Sequence, residues 1–387
     1  MAETRKEFAI YVITKHGVDL ARKIRAALPD ADLYVSPKVK ADAPPDAKDL
    51  TLPMGPTLSK TFSEYYCHIH IISVGAVVRM IKDLMQDKKK DPAIICVDDA
   101  GKFAICVLSG HVGRGNFFTE KIAQALGAIP VITTASDARG TLTVDILGRD
   151  LGWRLDDMDR NVTRGCAAVV NETNVAFVQE AGEPDFWPLN QELPPGVQYF
   201  TSLDQVKPED YEILLIATDR EIKASHPAHW NNSVIYRPRS LVLGLGCDRD
   251  TPAEIIERGV LSFLKEMNLS IMAVHSIASI DLKKDEPGLL ALAAKYNWPF
   301  TTYSPEILDA TPGIENPSET VKKHTGSRGV AEPAALRAAN AARLLMPKKS
   351  YKEPTDVHNM TMAIARIDFG KRTGANAAGN TAREEAK

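Results

Sequence analysis

The chain has 387 residues, of which 44% are hydrophobic and 25% are charged, and its formal net charge at pH 7 is -3. This length predicts two or three domains, and the near-neutral balance argues against nucleic acid as a partner. No apolar run approaches the ~20 residues of a membrane-spanning helix, so no membrane partner is expected. The start of the chain carries no signal-peptide pattern, and the five cysteines form no C-x-x-C pair, so we expect a reduced, cytoplasmic protein.

The chain opens with a strand, a helix and a strand. The patterns predict a strand over residues 7–14, a helix over 16–28 and a second strand over 33–35. Such an opening is typical of a parallel sheet. Residues 37–56 are rich in Pro, Lys and Asp, which predicts an exposed loop.

A strand over residues 68–74 is followed by Gly75 and by a helix whose first turn is expected to carry Arg79. An arginine in this place can hold a carboxylate through two hydrogen bonds. The alternative is a surface ion pair with Asp83, four residues on, which contributes only ~0.3–0.5 kcal/mol.

The densest set of polar residues follows a predicted hairpin. Strands over 92–97 and 102–108 are joined by a turn that ends in Gly101, so the sheet is expected to be mixed there. The next turn contains three glycines, in the order Ser109, Gly110, His111, Val112, Gly113, Arg114, Gly115 and Asn116. A helix ended by Gly127 follows, and then a strand from Val131 that ends in Thr133, Thr134, Ala135, Ser136 and Asp137. Ligands of parallel sheets bind beyond the carboxyl ends of strands, which makes these two ends a candidate site.

The composition of the glycine turn at 109–116 limits its ligands. Backbone N–H groups at a helix start attract phosphate or carboxylate. The glycine spacing does not fit G-x-G-x-x-G and no G-K-[ST] follows, so nucleotide binding is not supported. His111 can serve as acid, base or donor near neutral pH, and the alternative is a loop histidine that only caps backbone groups.

Residues 141–237 are weakly patterned, and we predict a small middle domain there. A short amphipathic helix is predicted over 144–153, and the apolar runs at 166–170 and 174–178 favour strands or packed segments. Residues 211–218 give a clear strand. We find no catalytic constellation in this region.

A strand over residues 241–246 opens the third unit. Thr251 and Glu254 have the spacing of a capping box, and Pro252 stands at the first predicted helical position. Cys247 lies close to this helix start, which lowers the pKa of a thiol. A packed structural cysteine is nevertheless the more common case.

A charged segment follows the predicted strand at 271–280. Lys283 is a candidate partner of a substrate carboxylate, and Glu286 is a candidate to orient it. The alternative is that these charges only begin the next helix, which has Pro287 in its first turn.

A second glycine turn, at 326–329, carries Arg328 and enters a helix that contains Glu332. The alternative is a plain loop in which Glu332 is a favourable first-turn charge. A strand over 360–367 closes this unit, and residues 370–387 are predicted to be a disordered tail.

These elements predict an α/β protein with a Rossmann-like N-terminal unit, a small middle domain and a separate α/β C-terminal domain. The expected limits are residues 1–140, 141–237 and 238–369, and a cleft is expected between the units.

Five short motifs resemble one family in their order along the chain. They are GAVVR at 75–79, SGHVGRGN at 109–116, ITTASD at 132–137, GLGC at 244–247 and SIDLKKDE at 279–286. The chain resembles CbiG, the cobalt-precorrin 5A hydrolase family of anaerobic cobalamin biosynthesis, over roughly residues 68–369. One position departs from the family pattern, since Arg114 stands where a second small residue is usual.

The resemblance implies a cobalt-corrinoid substrate that carries many carboxylates and a ring-A lactone. Water opens the lactone, acetaldehyde leaves, and cobalt-precorrin 5B is formed. The cobalt arrives with the substrate, so we expect no cofactor and no metal site of the protein's own. The other partners left open are neighbouring enzymes of the pathway and a second copy of the chain in a homodimer.

Lactone hydrolysis needs a base for water and a donor for the developing oxyanion. The catalytic candidates are His111 and Glu332, followed by Asp137. We expect His111 to stay neutral near pH 7 and to take a proton from water, with Asp137 fixing its tautomer. The candidates for substrate binding are Gly75, Arg79, Ser109, Gly110, Gly113, Gly115, Asn116, Thr133, Thr134, Lys283, Glu286 and Arg328.

Two other functions remain open at this point. The same anion-binding turns would serve a non-catalytic protein that holds or channels a corrinoid intermediate. A nucleotide-binding α/β protein is weakened by the missing phosphate motifs.

Overall fold

The computed structural model describes residues 5–87, 89–184, 186–187, 192–354 and 357–370. The chain divides into two compact units, with the boundary after Ile146. The predicted disordered tail lies outside the described residues, apart from Gly370. In the part of the chain that is described, every helix is too short or too polar to cross a membrane.

The first unit is built on a seven-stranded sheet. Its strands are β1 (Lys6–Val12), β2 (Ala31–Val35), β3 (Lys48–Asp49), β4 (Tyr65–Ile71), β5 (Ala93–Val97), β6 (Phe103–Leu108) and β7 (Ile129–Val131). Their order across the sheet is β3-β2-β1-β4-β5-β6-β7. The helices are α1 (Lys15–Ala27), α2 (Gly55–Thr61), α3 (Val74–Ile81), α4 (Gly115–Leu126) and α5 (Ala135–Arg139).

Helices cover both faces of this sheet. On one face Val18 of α1 and Ile122 of α4 pack with the strands in one buried cluster. On the other face Leu58 of α2 and Val77 of α3 are buried in two further clusters. Burial on both faces explains why the central strands read as unbroken apolar runs. The predicted Rossmann-like α/β unit is therefore confirmed.

The predicted hairpin is present, and it reverses part of the sheet. β5 and β6 are antiparallel, with Ile94 opposite Leu108, whereas β4 pairs with β5 and β6 pairs with β7 in parallel. We call the end of the sheet at which β1 and β4 finish the carboxyl edge, and the end at which they begin the amino edge. Both names refer to strand ends and not to the outermost strands. Because β6 and β7 run the other way, both of them end at the amino edge.

The second unit contains two five-stranded sheets. The first has the order β10-β9-β11-β12-β8, from β8 (Arg154–Leu155), β9 (Val175–Gln179), β10 (Val197–Phe200), β11 (Ile213–Ala217) and β12 (Ser233–Arg237), and its helices are α6 (Val162–Val170) and α7 (Pro227–Asn231). The second has the order β15-β14-β13-β17-β16, from β13 (Leu241–Cys247), β14 (Val274–Ile280), β15 (Phe300–Tyr303), β16 (Leu344–Lys352) and β17 (Asn359–Arg366). Its helices are α8 (Ala253–Glu266), α9 (Pro287–Tyr296), α10 (Pro305–Asp309), α11 (Glu319–Thr325) and α12 (Ala331–Ala339).

A buried carboxylate connects these two sheets. Asp219, which follows β11, accepts hydrogen bonds from Arg366 Nε at 2.7 Å and Nη2 at 2.9 Å, and from Ser240 Oγ at 2.8 Å. Arg366 ends β17, and Ser240 immediately precedes β13. The predicted limits of a separate middle domain, at residues 140 and 237, stay predictions.

Two predicted elements of secondary structure are wrong, and an open alternative is decided. Residues 144–153 form turns and a short 3-10 helix, Arg149–Leu151, because the glycines at 148 and 152 adopt positive φ and break the helical path. The apolar run at 166–170 is a packed segment and not a strand: it is the end of α6, where helical spacing buries Gly165, Ala168 and Val169 despite the β-branched residues. The loop predicted over 37–56 contains a 3-10 helix, β3 and the start of α2.

The predicted capping box of α8 is also wrong. The helix begins at Ala253 with Pro252 as its N-cap residue, one position later than the box requires. Thr251 Oγ1 donates instead to the carbonyl of Asp248, at 2.8 Å. The hydroxyl therefore closes the preceding turn rather than the first turn of the helix.

Candidate active site

The glycine turn between β6 and α4 is closed by its own backbone. Gly115 N donates to Ser109 O at 3.1 Å, and Asn116 N donates to Gly110 O at 2.9 Å. Arg114, the N-cap residue of α4, lies in the left-handed region with a φ of 61°. The N–H groups of Gly115 and Asn116, which the sequence suggested for anion binding, are thus used inside the turn.

The glycines of this turn make room for their neighbours. A Cβ atom at Gly110 would lie 2.6 Å from Asn116 Oδ1, and one at Gly115 would lie 2.9 Å from Cys106 Sγ. A side chain at either position would displace Asn116 or the end of β6. The glycine pattern therefore serves the positioning of Asn116.

Asp137 is the centre of the polar cluster. One of its oxygens, Oδ2, accepts from His111 Nε2 at 2.7 Å, from Asn116 Nδ2 at 2.7 Å and from the Thr134 hydroxyl. Partial burial raises the pKa of Asp137, but the bonds from Thr134 and His111 more than offset it, so the pKa is lowered. The carboxylate is thus held in its charged form.

His111 lies between two carboxylates. Its Nε2 faces Asp137, and its Nδ1 lies 3.3 Å from Asp145 Oδ2. The bond to Asp145 raises the pKa of His111 above its usual value, although partial burial opposes the shift. These surroundings favour the imidazolium, whereas the sequence analysis expected a neutral ring near pH 7.

Asp145 was not identified from the sequence. It stands in the segment where a helix was predicted, and no motif marks it. Its side chain is 20% exposed, and its second oxygen, Oδ1, is buried and has no hydrogen-bond partner in the described part of the chain. We refer to His111, Asn116, Thr134, Asp137 and Asp145 as the His111 cluster.

The short helix α5 carries Asp137, so the prediction that this aspartate ends a strand needs correction. β7 ends at Val131, and Thr133 and Thr134 link it to α5. β6 and β7 are parallel neighbours, so their ends meet at the amino edge as expected.

Gly75 and Arg79 lie at the carboxyl edge, because α3 follows β4. The hairpin therefore separates them from the His111 cluster, which is at the amino edge. Arg79 is in the last turn of α3 rather than the first, and its Nη1 donates to Gly75 O at 2.9 Å. The alternative partner, Asp83, lies 3.8 Å from Lys82.

In the second unit, Lys283 and Glu286 are in direct contact, as the sequence suggested. Lys283 Nζ donates to Glu286 Oε2 at 2.8 Å, and Arg249 Nη1 approaches the same oxygen at 3.4 Å. Burial raises the pKa of Glu286, but the hydrogen bond and charge of Lys283, with smaller contributions from Asp250 and Arg249, together more than offset it, so the pKa is lowered. Burial raises the pKa of Cys247 to about 11, which favours a packed thiol over a nucleophile.

Arg328 is occupied by a carboxylate of its own unit. Its Nε and its backbone N both donate to Asp309 Oδ1, each at 2.9 Å. The glycine turn at 326–329 does bind a carboxylate group, but that group belongs to α10.

Both oxygens of Glu332 are also occupied. Oε1 accepts from Lys348 N and Asn316 Nδ2, and Oε2 accepts from the backbone N of Glu315 and Asn316, all at 2.8–2.9 Å. Burial raises the pKa of Glu332, but these bonds more than offset it. The side chain is 1% exposed, so the arrangement favours a role in holding the segment at 315–316 against β16 over activation of water.

A cavity of about 520 Å³ is lined by residues of β1–β4 and α2, and the sequence did not suggest it. Its lining includes Lys6, Lys48, Lys60 and Tyr65. Asp32 Oδ2 lies 3.0 Å from Lys6 Nζ and 2.6 Å from Lys48 Nζ. Lys60 makes no ion pair with any residue that the structure describes.

The fold and the site define an α/β protein with a histidine–carboxylate cluster at one edge of its first sheet. Three family models match the chain in order: Cobalamin synthesis G N-terminal at residues 56–137, Cobalamin biosynthesis central region at 142–238, and Cobalamin synthesis G C-terminus at 241–365. The chain belongs to the CbiG family, as its motifs indicated.

Two curated relatives match almost the whole chain. A cobalt-precorrin-5A hydrolase from Priestia megaterium is 39% identical over 94% of this chain and 96% of its own length. One from Salmonella typhimurium is 30% identical over 85% of this chain and 91% of its own. The solved structure of CobE, a protein from the cobalamin biosynthetic pathway, is 32% identical over 33% of this chain and 91% of its own, with a TM-score of 0.30.

Proposed function

We propose that this chain is a cobalt-precorrin-5A hydrolase of cobalamin biosynthesis. The observation that carries the proposal is the bracketing of His111 by Asp137 and Asp145, beside motifs of the CbiG family. Ester hydrolysis needs one group to take a proton from water and another to protonate the leaving oxygen. The His111 cluster brings both kinds of group together at one strand end.

The reaction follows from the family resemblance. Water adds to the ring-A lactone carbonyl and the ester C–O bond breaks, which leaves an alcohol on the two-carbon fragment. The C–C bond between this fragment and the macrocycle then breaks: the alcohol gives up its proton, the electron pair of the C–C bond stays with the macrocycle, and acetaldehyde leaves to give cobalt-precorrin 5B. Cobalt enters as part of the substrate. That the enzyme requires no cofactor of its own, and that it works in the cytoplasm, are further parts of this proposal.

Cations at the amino edge are suited to bind substrate carboxylates. The sequence suggested Arg79 and Arg328 for this role. Arg79 lies at the carboxyl edge and Arg328 is paired with Asp309, so neither is placed to bind a substrate carboxylate beside the His111 cluster. Lys6 on β1 lines the cavity three strand steps from β6, which corresponds to about 14 Å at a spacing of about 4.8 Å per strand, whereas Lys48 on β3 is five steps away, about 24 Å. We assign this cavity to a peripheral carboxylate of the corrinoid.

The test is anaerobic incubation of the full chain with cobalt-precorrin 5A, with trapping of the released aldehyde. We expect acetaldehyde in proportion to the substrate consumed. Binding of the corrinoid with no aldehyde would support the alternative of a non-catalytic carrier. The names of the curated relatives do not favour that alternative.

A further inference from the structure

The hydrogen bonds of Asp137 are distributed unequally between its two oxygens. The donors His111, Asn116 and Thr134 all bond to Oδ2. Oδ1 accepts no hydrogen bond from the residues that the structure describes, and the side chain is 38% exposed. Asp137 therefore has one oxygen that fixes its orientation and another that faces solvent.

Both ring nitrogens of His111 face carboxylate oxygens, and Nε2 also lies 3.1 Å from the Ser136 hydroxyl. A neutral imidazole carries one N–H, so it could donate to Asp137 or to Asp145 but would direct a lone pair at the other carboxylate, and the Ser136 hydroxyl could donate to that lone pair only at Nε2. An imidazolium donates to both. The side chain is 17% exposed, so solvent compensates little for a mismatched nitrogen. The contacts fit the protonated ring.

From these contacts we infer that the sequence-based roles are exchanged: Asp137 activates the water, His111 donates the proton, and Asp145 is a positioning residue that keeps His111 protonated. The inference rests on the proposed hydrolase function. It adds Asp145, which lies outside every motif, to the groups on which the reaction depends.

The step balances in protons and electrons. The water oxygen attacks the lactone carbonyl while one of its protons moves to Asp137 Oδ1. The ester C–O bond breaks, and the leaving oxygen keeps the electron pair and takes a proton from His111 Nε2. Protonation of Asp137 weakens the hydrogen bond that it accepts from His111 Nε2–H. Proton transfer from water to Asp137 therefore makes proton transfer from His111 to the leaving oxygen easier. A later proton transfer from Asp137 to His111 restores both groups.

Several titratable groups surround this pair. Asp145 faces Nδ1 of His111 and Asp137 on α5 faces Nε2, whereas Cys106 on β6 and Glu120 on α4 are electrostatically coupled to Asp137. Glu120 carries the same sign as Asp137 when ionised, so it also favours a cation at His111. A test must therefore change Asp145 alone.

The test is an NMR titration of the full chain labelled with ¹⁵N-histidine, in the wild type and in the Asp145→Asn and Asp145→Glu variants. We expect His111 to be protonated at pH 7 in the wild type, to lose its proton at lower pH in Asp145→Asn, and to be restored in Asp145→Glu. Asp83→Asn, an exposed aspartate that follows α3 and lies outside the His111 cluster, serves as control and should leave the titration unchanged.

The kinetic part follows kcat for acetaldehyde release between pH 6 and 9. Loss of the Asp145 charge lowers the pKa of His111, so the protonated fraction falls most at high pH. We therefore expect Asp145→Asn to lose a larger fraction of kcat at pH 8 than at pH 6. A neutral His111 at pH 7 in the wild type, or a titration that Asp145→Asn leaves unchanged, would overturn the inference. Both are measured whether or not acetaldehyde is released, so failure of the proposed function is seen separately.

Discussion

Lys283 Nζ lies 2.8 Å from Oε2 of Glu286, a side chain with no exposed surface. The other oxygen, Oε1, is buried without a partner, so Lys283 supplies most of the compensation for this charge. Removing one member of a buried ion pair leaves an uncompensated charge and typically costs ~3–5 kcal/mol. Lys283→Met should therefore lower the free energy of unfolding by about 3 kcal/mol, as measured by urea denaturation.

The exposed neighbour Lys284 gives a matched control, because Lys284→Met should change the free energy of unfolding by less than ~0.5 kcal/mol. The double variant Lys283→Met with Glu286→Gln should recover much of the loss. A single variant as stable as the wild type would leave Lys283 available to the substrate instead.

His70 and Tyr11 stack with their ring centres 4.8 Å apart, and both ring nitrogens of His70 are buried with no hydrogen-bond partner among the residues that the structure describes. An unsatisfied buried polar group costs ~1–3 kcal/mol. His70→Phe keeps the stacking and removes that cost, so the free energy of unfolding at pH 7 should rise by about 1 kcal/mol. His68 bonds to Tyr11 and Phe62, so His68→Phe should be destabilising, and equal effects of the two changes would contradict this account.

The same histidines should make the protein sensitive to acid. Burial lowers the pKa of His68 to about 4 and that of His70 to about 3, below the usual value of 6.5. Above pH 6.5 both states are neutral, and as the pH falls the unfolded chain takes up the proton first, so stability falls. Each histidine contributes a slope of up to about 1.4 kcal/mol per pH unit. Urea denaturation at pH 4.5–6.5 should show a shallower slope for His70→Phe, and identical slopes would disprove the contribution of His70.

Arg114 combines an unfavourable backbone with a favourable side chain. Its φ of 61° costs a residue other than glycine ~1–2 kcal/mol. Its guanidinium lies 4.6 Å from the ring centre of Phe117, which contributes ~0.5–1 kcal/mol. Arg114→Gly should therefore be close to the wild type in thermal denaturation, and Arg114→Ala should be less stable than both. An alanine variant as stable as the glycine variant would show that the backbone is not strained.

A Lys60 variant tests whether the cavity lined by Lys6, Lys48 and Lys60 binds a substrate carboxylate. A contact that does not change during the reaction contributes to KM and not to kcat. Lys60→Met should raise KM about fivefold, or about 1 kcal/mol, and leave kcat within about twofold. Lys23→Met, on the exposed side of α1, should change neither constant. A fall in kcat alone would place Lys60 nearer to the reacting bond.

Local patterns predicted much of the first sheet. The turn that ends in Gly101 indicated the hairpin, and Gly127, with a φ of 66°, indicated the end of α4. The consequence of the hairpin for the site was missed, because an antiparallel partner moves the end of β6 to the other edge. Gly75 and Gly110 both follow a predicted strand in the sequence, yet the reversal places Gly75 at the carboxyl edge and Gly110 at the amino edge.

Some partners of the charged candidates were predicted, such as Asp137 for His111 and Glu286 for Lys283, but others were missed because they are far away in sequence. Asp145 contacts His111 only through the fold of the segment after α5, and its own sequence favoured a helix. Glu332 was a catalytic candidate with a first-turn charge as the alternative, and its donors come from residues 315–316 and from β16. Motifs indicated which residues have reactive groups, but only the tertiary contacts show which of those groups are already neutralised.

The reversed hairpin also changes the electrostatic character of the amino edge. α1 and α3 begin at the carboxyl edge, so the negative ends of their helix dipoles point toward the amino edge. α4 follows a reversed strand, and it therefore brings a positive dipole end to the place where Asn116 contacts Asp137. Such an end stabilises a nearby negative charge by ~0.3–1 kcal/mol. The strand reversal thus places Asp137, the carboxylate proposed to activate water, beside the positive N-terminal end of α4.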